Sequence, residues 1–189
     1  AQQNRLMSRA QINAWTGSFG TIPAGSGDAV WRRAQVATED LSSINFPGAL
    51  YFVDGVYVGT QDSTFNNRNN NASYRRATVS GTSFTLQGTT VQYQSAIRAW
   101  RANGLGVGVP DPRVVDGNVD IPSEGRFNTA YKVTDNGDGT WTYDYAIYNL
   151  SSDRSGGSFE VPIPSGSTIT NVGFNDVRYH SGDPFDLTD

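Results

Sequence analysis

Two segments, residues 127–134 and 141–148, alternate large apolar and polar side chains so strictly that they constrain the fold more than any other feature. Alternation with a period of two places the apolar side chains on one face of a β-strand. The intervening residues 135–139 read Asp-Asn-Gly-Asp-Gly, which is a hairpin-turn sequence. Gly137 and Gly139 supply the positive φ angles that such a turn requires. The sequence therefore predicts an antiparallel β-hairpin.

Two more strands are predicted after this hairpin. Residues 158–163 again alternate apolar and polar side chains, and the turn Pro164-Ser165-Gly166 separates them from a strand predicted over 168–179. Pro162 cannot donate a ladder hydrogen bond, so the first of these strands is predicted to lie at a sheet edge or to be interrupted there.

The first half of the chain is also predicted to be rich in β-structure. Residues 104–122 are rich in glycine and proline, which predicts a crossover or linker. Residues 38–44 predict a single helical turn that Thr38 caps. The other predicted strands are 10–19, 49–60, 72–80, 83–90 and 96–102.

Successive antiparallel strands with turns about every 8–12 residues indicate a sandwich. We expect an all-β fold, an antiparallel β-sandwich that is Ig-like over residues 118–189. The β-rich N-terminal part, residues 1–117, is expected to pack against it or to share its sheets.

Composition excludes several classes of function. The net charge of −4 and the pI near 4.9 argue against nucleic-acid binding, which needs a basic face to replace phosphate counterions. No run of about 18 apolar residues is present, so no membrane span is predicted. Because the chain has no cysteine, disulfides, thiolate metal sites and cysteine nucleophiles are excluded.

His180, the single histidine, lies between Asp176 and Asp183 and close to hydroxyl side chains. One interpretation is a hydrolytic site or a metal ligand. However, no Gly-x-Ser-x-Gly elbow is present, and a zinc site needs two or three nitrogen or sulfur ligands. We therefore favour a hydrogen-bonded loop histidine over a catalytic one, and we assign no catalytic or metal-ligating residue.

Two polar loops also have alternative interpretations. The turn 135–139 superficially resembles a calcium loop, but the EF-hand pattern is not met and the hairpin explains every residue. Calcium elsewhere stays an alternative, because aspartate and loop carbonyl oxygens suit it. In the tract 66–71, Asn70 and Asn71 can hydrogen-bond a sugar or a partner backbone, whereas the simpler interpretation is a surface loop whose asparagines tolerate left-handed backbone.

The aromatic residues of the hairpin suggest either a core or a stacking platform. Trp141, Tyr143 and Tyr145 share one face of their strand, and we expect that face to be core, with Trp141 in a structural role. Tyr148 lies on the opposite face and is the better candidate for an exposed contact. Asp153 and Arg154 are expected to form a structural ion pair or a backbone clamp in the turn before Phe159.

Several longer phrases support a family resemblance. They are residues 69–76 (NNNASYRR), 96–100 (AIRAW), 138–149 (DGTWTYDYAIYN), 152–159 (SDRSGGSF), 161–164 (VPIP), 170–174 (TNVGF) and 179–184 (YHSGDP). In these phrases the chain resembles a recurrent segment of large, uncharacterised exported proteins of environmental bacteria. The resemblance implies export to the cell surface or the medium. It also implies that the chain continues past Asp189 with more β-sequence, which would leave an open sheet edge here.

These observations favour a secreted or cell-surface structural or adhesive module, not an enzyme, that contacts protein or polysaccharide surfaces. Self-assembly through a sheet edge is a further expectation. The first alternative is a carbohydrate-binding module, with calcium as an optional cofactor. The second is a secreted hydrolase centred on His180.

Overall fold

A computed structural model describes residues 11–21 and 36–175 of the chain, and most of its regular structure is antiparallel β-sheet. The strands are β1 (Ile12–Asn13), β2 (Ser18–Phe19), β3 (Tyr51–Val56), β4 (Ala72–Ser80), β5 (Ser83–Leu86), β6 (Val91–Gln92), β7 (Val115–Ile121), β8 (Gly125–Asp135) and β9 (Trp141–Asn149). The helices are short: α1 (Thr60–Thr64), α2 (Arg98–Asn103) and 3-10 turns at Thr38–Leu41 and Arg68–Asn70. The expected all-β class is therefore confirmed.

Two sheets contain most of the strand residues in the described part of the chain. In the first sheet the order is β3-β4-β5, and β6 also pairs with β4. In the second sheet β8 lies between β7 and β9. Because β7 and β9 are the outer strands among the described residues, each has one side without a neighbouring strand. No helix among the described residues is long and apolar enough to cross a membrane.

The hairpin predicted from the alternation is confirmed. Strands β8 and β9 pair in register from Phe127 opposite Asn149 to Asp135 opposite Trp141. Gly137 and Gly139 have φ angles of 78° and 87°. The side chain of Asp135 accepts a hydrogen bond from the Gly137 amide at 2.8 Å, which closes an Asx turn.

Two elements differ from the sequence-based expectations in the middle of the chain. Residues 96–102 were expected to be a strand, but Arg98–Asn103 form helix α2. Residues 104–122 were expected to be a linker, but Val115–Ile121 form strand β7. The expected domain boundary between 117 and 118 consequently falls inside a strand.

The loop between α2 and β7 is ordered by a buried aspartate. The side chain of Asp111 is fully buried, and its carboxylate accepts two hydrogen bonds from the guanidinium of Arg113, at 2.9 and 2.8 Å. The hydrogen bonds from Arg113, which is otherwise half-exposed, hold the pKa of Asp111 below its usual range. This pairing explains why a glycine-rich and proline-rich segment delivers β7 to a defined position.

The structure also bears on the expected helical turn at 38–44 and on the two strands expected after the hairpin. The helical turn at 38–44 is present as Thr38–Leu41, but its N-cap is Ala37, and no side chain caps it. Residues 158–163 and 168–175 pair with no strand among the described residues, although apolar and polar side chains alternate in the first of these segments. A strand is defined by ladder hydrogen bonds, so alternation alone does not create one. Residues 176–179 of the fourth expected strand lie outside the described residues.

Candidate functional site

One face of the β7-β8-β9 sheet is exposed and apolar. Residues that lie opposite one another in an antiparallel ladder point to the same face, so the register assigns Val115, Tyr131 and Tyr145 to one row of this face. We call the surface formed by the side chains of this parity the aromatic face. Its exposed large side chains are Val115, Val119, Ile121, Tyr131, Trp141, Tyr143, Tyr145 and Ile147.

This exposure corrects the expectation that the hairpin aromatics form a core. Trp141 and Tyr143 retain 55% and 57% of their accessible surface, and Tyr145 retains 40%. The shared parity of the three side chains was predicted correctly, but the face that they occupy is not the buried one. Tyr148, expected to be the exposed contact, is instead partly buried on the opposite face.

The rings on the aromatic face lie close to one another without forming a parallel stack. The ring centroids of Tyr131 and Tyr145 are 6.4 Å apart, with 36° between the ring planes. Phe159, from the segment after β9, packs its ring on Tyr145 at 5.1 Å with an edge-to-face angle of 62°. A side chain from outside the sheet therefore already occupies one part of this face.

Charge is absent over nearly the whole aromatic face. Among its positions on β7, β8 and β9, only Asp135 is an acidic or basic residue, and it lies opposite Trp141 at the turn end. Beyond it, the turn carries Asn136 and Asp138. A desolvating partner would therefore bury no ion over most of the face.

The opposite face of the same sheet packs against helix α2 through a polar network. The side chain of Asp116 accepts hydrogen bonds from Arg98 and, at 3.0 Å, from Arg101. Arg98 also donates to the side-chain oxygen of Asn118 at 2.7 Å, and the same oxygen accepts a hydrogen bond from buried Asn128. These contacts partly bury Asp116 beneath α2, whereas Asn118 and Asp120, farther along the same parity of β7, stay exposed.

Asp116 titrates abnormally in this network. Burial alone would raise its pKa, but hydrogen bonds and charge from Arg101 and Arg98 outweigh it and lower the pKa below its usual range. The carboxylate therefore stays charged at neutral pH and joins α2 to β7.

Asp54 on β3 has the opposite behaviour. Its carboxylate accepts a hydrogen bond from the Ala96 amide at 2.5 Å, which connects β3 to the residues that precede α2. Burial raises the pKa of Asp54, and hydrogen bonds from Ala96, Tyr148 and Gly55 offset this only in part. Tyr148 therefore contributes to internal structure through its hydrogen bond with Asp54.

We expect Asp54→Asn to raise the melting temperature at pH 7. A raised pKa means that the unfolded chain ionises first as pH rises above about 4, so ionisation of Asp54 lowers the stability of wild type from there upward. Asparagine removes this cost and can still accept the Ala96 hydrogen bond. The gain should be a few degrees, since about 1 kcal/mol corresponds to roughly 2–4 °C for a domain of this size.

The measurement is thermal unfolding at pH 7 and pH 3, with Asp120→Asn as the control. Hydrogen bonds from Arg126 lower the pKa of Asp120, so that substitution has the opposite sign and gives no gain at pH 7. The account predicts that the difference in melting temperature between Asp54→Asn and wild type is larger at pH 7 than at pH 3. A smaller difference at pH 7 than at pH 3 would contradict it.

An apolar cleft of about 720 Å³ lies between β3, α2 and β9. Phe52, Trp100, Leu105 and Ala146 are among its lining residues. The amide of Asn103, which also lines it, already donates to the carbonyl of Ala99 and accepts from the amide of Gly108. The cleft therefore offers volume and apolar surface but lacks the convergent polar groups that catalysis requires.

The asparagine tract 66–71 serves internal structure at several positions. Arg68 places its guanidinium 3.8 Å from the ring centre of Trp15 and donates to the carbonyl of Ser63 at 2.6 Å. The side chain of Asn69 accepts a hydrogen bond from Ser151 at 3.1 Å. The carbonyl of Asn71 accepts one from Tyr57, while Asn70 ends the 3-10 turn at the surface. Of the two candidate ligand-binding residues, only Asn70 is exposed.

The turn carboxylates are likewise occupied by local hydrogen bonds. Asp138 accepts hydrogen bonds from the amide and hydroxyl of Thr140, at 2.9 and 2.5 Å, which hold its pKa below the usual range. Among residues 11–21 and 36–175, no three histidine, cysteine or acidic side chains lie together as a metal site. A calcium site stays a prediction.

Arg154 has a different partner from the one expected. Its guanidinium lies 3.7 Å from the carboxylate of Glu124, not beside Asp153, and its side chain is 84% exposed. The backbone carbonyl of Arg154 accepts a hydrogen bond from the Asn149 side chain at 3.0 Å. An exposed pair of this kind contributes little to stability, so the expected clamp is not formed by this side chain. The remaining candidate residues, Asp176, His180 and Asp183, lie outside the described residues.

No family model, curated protein or solved structure matches this chain. The site is therefore defined by its own geometry, and the aromatic face is its most distinctive surface. Sequence reasoning missed the β7 part of this face. A signal was present, because Val119 and Ile121 alternate with Asn118 and Asp120, but the flanking glycines and prolines favoured a linker.

Proposed function

We propose that this chain is an extracellular structural or adhesive β-module whose contact surface is the aromatic face. The observation that carries the proposal is the exposure of eight large apolar side chains on one sheet face. Isolated surface apolar residues are ordinary, whereas a contiguous patch of this kind marks an interaction site. Export is supported by the resemblance of the chain to exported bacterial proteins.

The pattern on this face favours a polypeptide partner. Inner faces of β-sandwiches combine aromatic and aliphatic side chains that interdigitate with a second layer about 10 Å away. Here Val119, Ile121 and Ile147 accompany the aromatic residues, and Phe159 already packs on Tyr145 as a side chain of a second layer would. The proposal therefore includes a two-layer, Ig-like arrangement that forms when the partner packs on the aromatic face.

A second candidate is a carbohydrate-binding module. Trp141 and Tyr143 are exposed in a row at the turn end of the hairpin, beside the polar side chains of Asn136 and Asp138. Exposed aromatic rings beside hydrogen-bonding groups stack on sugar rings in the manner that the sequence suggested. The ring planes of Tyr131 and Tyr145 on this face are tilted by 36°, which favours this candidate less than a flat platform would.

The experiment compares retention of the chain on protein-coated beads and on insoluble polysaccharides. We expect Tyr143→Arg to reduce retention on protein-coated beads by tenfold or more, because the substitution places a charge on the apolar contact surface. A tenfold reduction corresponds to about 1.4 kcal/mol of binding free energy. The matched control is Tyr57→Arg, which changes a tyrosine that is 82% exposed and lies outside the aromatic face.

The outcomes separate the two candidates. Loss of retention on protein-coated beads in the face variant alone supports the adhesive module. Retention only on a polysaccharide, lost in Trp141→Ala, would replace it with the carbohydrate-binding candidate. Equal retention of Tyr143→Arg and Tyr57→Arg on every surface would refute both.

A further inference from the structure

We infer that the partner of the aromatic face is a second copy of this chain, packed face to face in an isologous dimer; this inference rests on the proposed function. Three features of the described residues carry it: the neutrality of the face, its area, and the complementarity of its two outer strands.

Neutrality removes the main obstacle to self-association. Two copies with a net charge of −4 repel each other weakly, and a charged contact surface would add the cost of burying like charges. Over β7, β8 and β9 the aromatic face holds no acidic or basic side chain except Asp135 at its end. Contact between two such faces therefore buries apolar surface and leaves the charges at the rim.

The area is what a specific interface needs. Each of the eight exposed side chains retains about half of its accessible surface. With about 150–250 Å² for each large side chain, the face offers roughly 600–1,000 Å² per copy, a range that includes the ~800 Å² per partner of a standard interface.

The two outer strands complement each other when two sheets face each other across a two-fold axis that runs parallel to β8, midway between the sheets. Such an axis places β7 of each copy over β9 of the other, because the central strand stays in place while the edges exchange. Strand β7 presents small and aliphatic residues, and Tyr145 of β9, which shares its row with Tyr131 and Val115, would lie over Val115 of the other copy. Gly117 and Ile147 share one row with Thr129, so Ile147 of each copy would lie over the side-chain-free Gly117 of the other.

A face contact also differs from the sheet-edge pairing that the sequence suggested. An edge contact uses the backbone groups of β7 or β9, and side-chain substitutions on the face would leave it largely intact. The face contact depends on side chains and strengthens with salt, because salt screens the repulsion between two acidic chains.

The test is sedimentation of the 189-residue chain over a wide concentration range, at low and high salt. We expect a reversible dimer that salt strengthens. Tyr145→Arg should raise its dissociation constant at least roughly thirtyfold, the effect of losing an aromatic anchor that would lie over Val115 of the other copy. Val119→Arg on β7 should do the same, and Tyr57→Arg should leave the constant unchanged. Circular dichroism confirms that each variant is folded.

Two outcomes would overturn the inference. A dimer that persists in both face variants would assign the contact to another surface, such as a sheet edge. A wild-type monomer at every concentration would exclude the second copy.

In the case of a monomer, hydroxyl-radical footprinting distinguishes failure of the inference from failure of the proposed function. Mass spectrometry separates Trp141 from the other three tryptophans. Rapid labelling of Trp141 and Tyr143 in the monomer leaves the face open to a different partner, and the proposed function survives. Shielded rings in a monomer would show that the chain covers its own face, and both proposals would fail.

Discussion

Replacing Gly125 with alanine is expected to lower the free energy of unfolding by about 3 kcal/mol or more, the range of severe core substitutions. A Cβ atom on Gly125 would lie 2.3 Å from the Cα of Ser152 and 2.4 Å from its backbone nitrogen. Neither atom can rotate away as a side-chain tip can. Ser151 and Ser152 are buried. The hydroxyl of Ser151 accepts a hydrogen bond from the Arg126 amide and donates one to the side chain of Asn69.

The matched control for this prediction is Gly139→Ala. Gly139 also has a positive φ, of 87°, but a Cβ there would meet nothing within 4 Å. Its substitution should therefore cost only the conformational strain of about 1–2 kcal/mol. Urea unfolding followed by tryptophan fluorescence measures both. If the two variants lose the same stability, the close approach of β8 to the 150–152 loop is not as tight as described.

The second large effect is expected from Asp116→Ala. Its carboxylate is only 14% exposed and holds Arg98 and Arg101 of α2, so removal leaves a guanidinium without its counter-charge in a half-buried position. Breaking a fully buried pair costs about 3–5 kcal/mol, and the partial exposure of Arg98 reduces this to about 2–3 kcal/mol. The substitution should also detach α2 from the sheet, which hydrogen exchange of the α2 amides would detect.

The control is Asp120→Ala on the same strand. Asp120 bonds Arg126 at 2.6 Å, but its side chain is 61% exposed, and such pairs contribute about 0–1 kcal/mol. A pH series gives an independent check. The lowered pKa of Asp116 adds stability above the unfolded pKa near 4, and that stability is lost as pH falls further. Unfolding on acidification should therefore be less steep in Asp116→Ala than in wild type, and an identical acid limb would contradict this role.

The β8–β9 hairpin could be predicted from sequence because local signals agree there. Alternation, the Asn-Gly and Asp-Gly turn residues, and two glycines in the turn all indicate one structure over about 23 residues. Helix α2 could not be predicted in the same way. Residues 98–103 are too short to show a helical period, and their helix is held mainly by contacts of Arg98 and Arg101 with β7, which are distant in sequence.

The exposed face could be predicted only in part. Alternation identified which side chains of β9 share a face, but it does not state which face is covered. That choice depends on the partner layer. Helix α2 packs on the other face, where Ala130 and Ala146 are small and where Asn118, Asn128 and Ser95 satisfy one another's hydrogen bonds. Ser95 and Asn128, which hydrogen-bond each other, are buried here although they are polar, so hydropathy alone indicated the wrong side.

The most direct measurement of the central claim is hydroxyl-radical footprinting of the chain, first free in solution at a dilution where it is monomeric and then bound to the surface that retains it. If the aromatic face is the contact surface, labelling of Trp141 and Tyr143 falls on binding, while labelling of Tyr57 does not change. If Trp141 and Tyr143 are labelled equally in the free and bound chain, the contact lies elsewhere and the account is wrong.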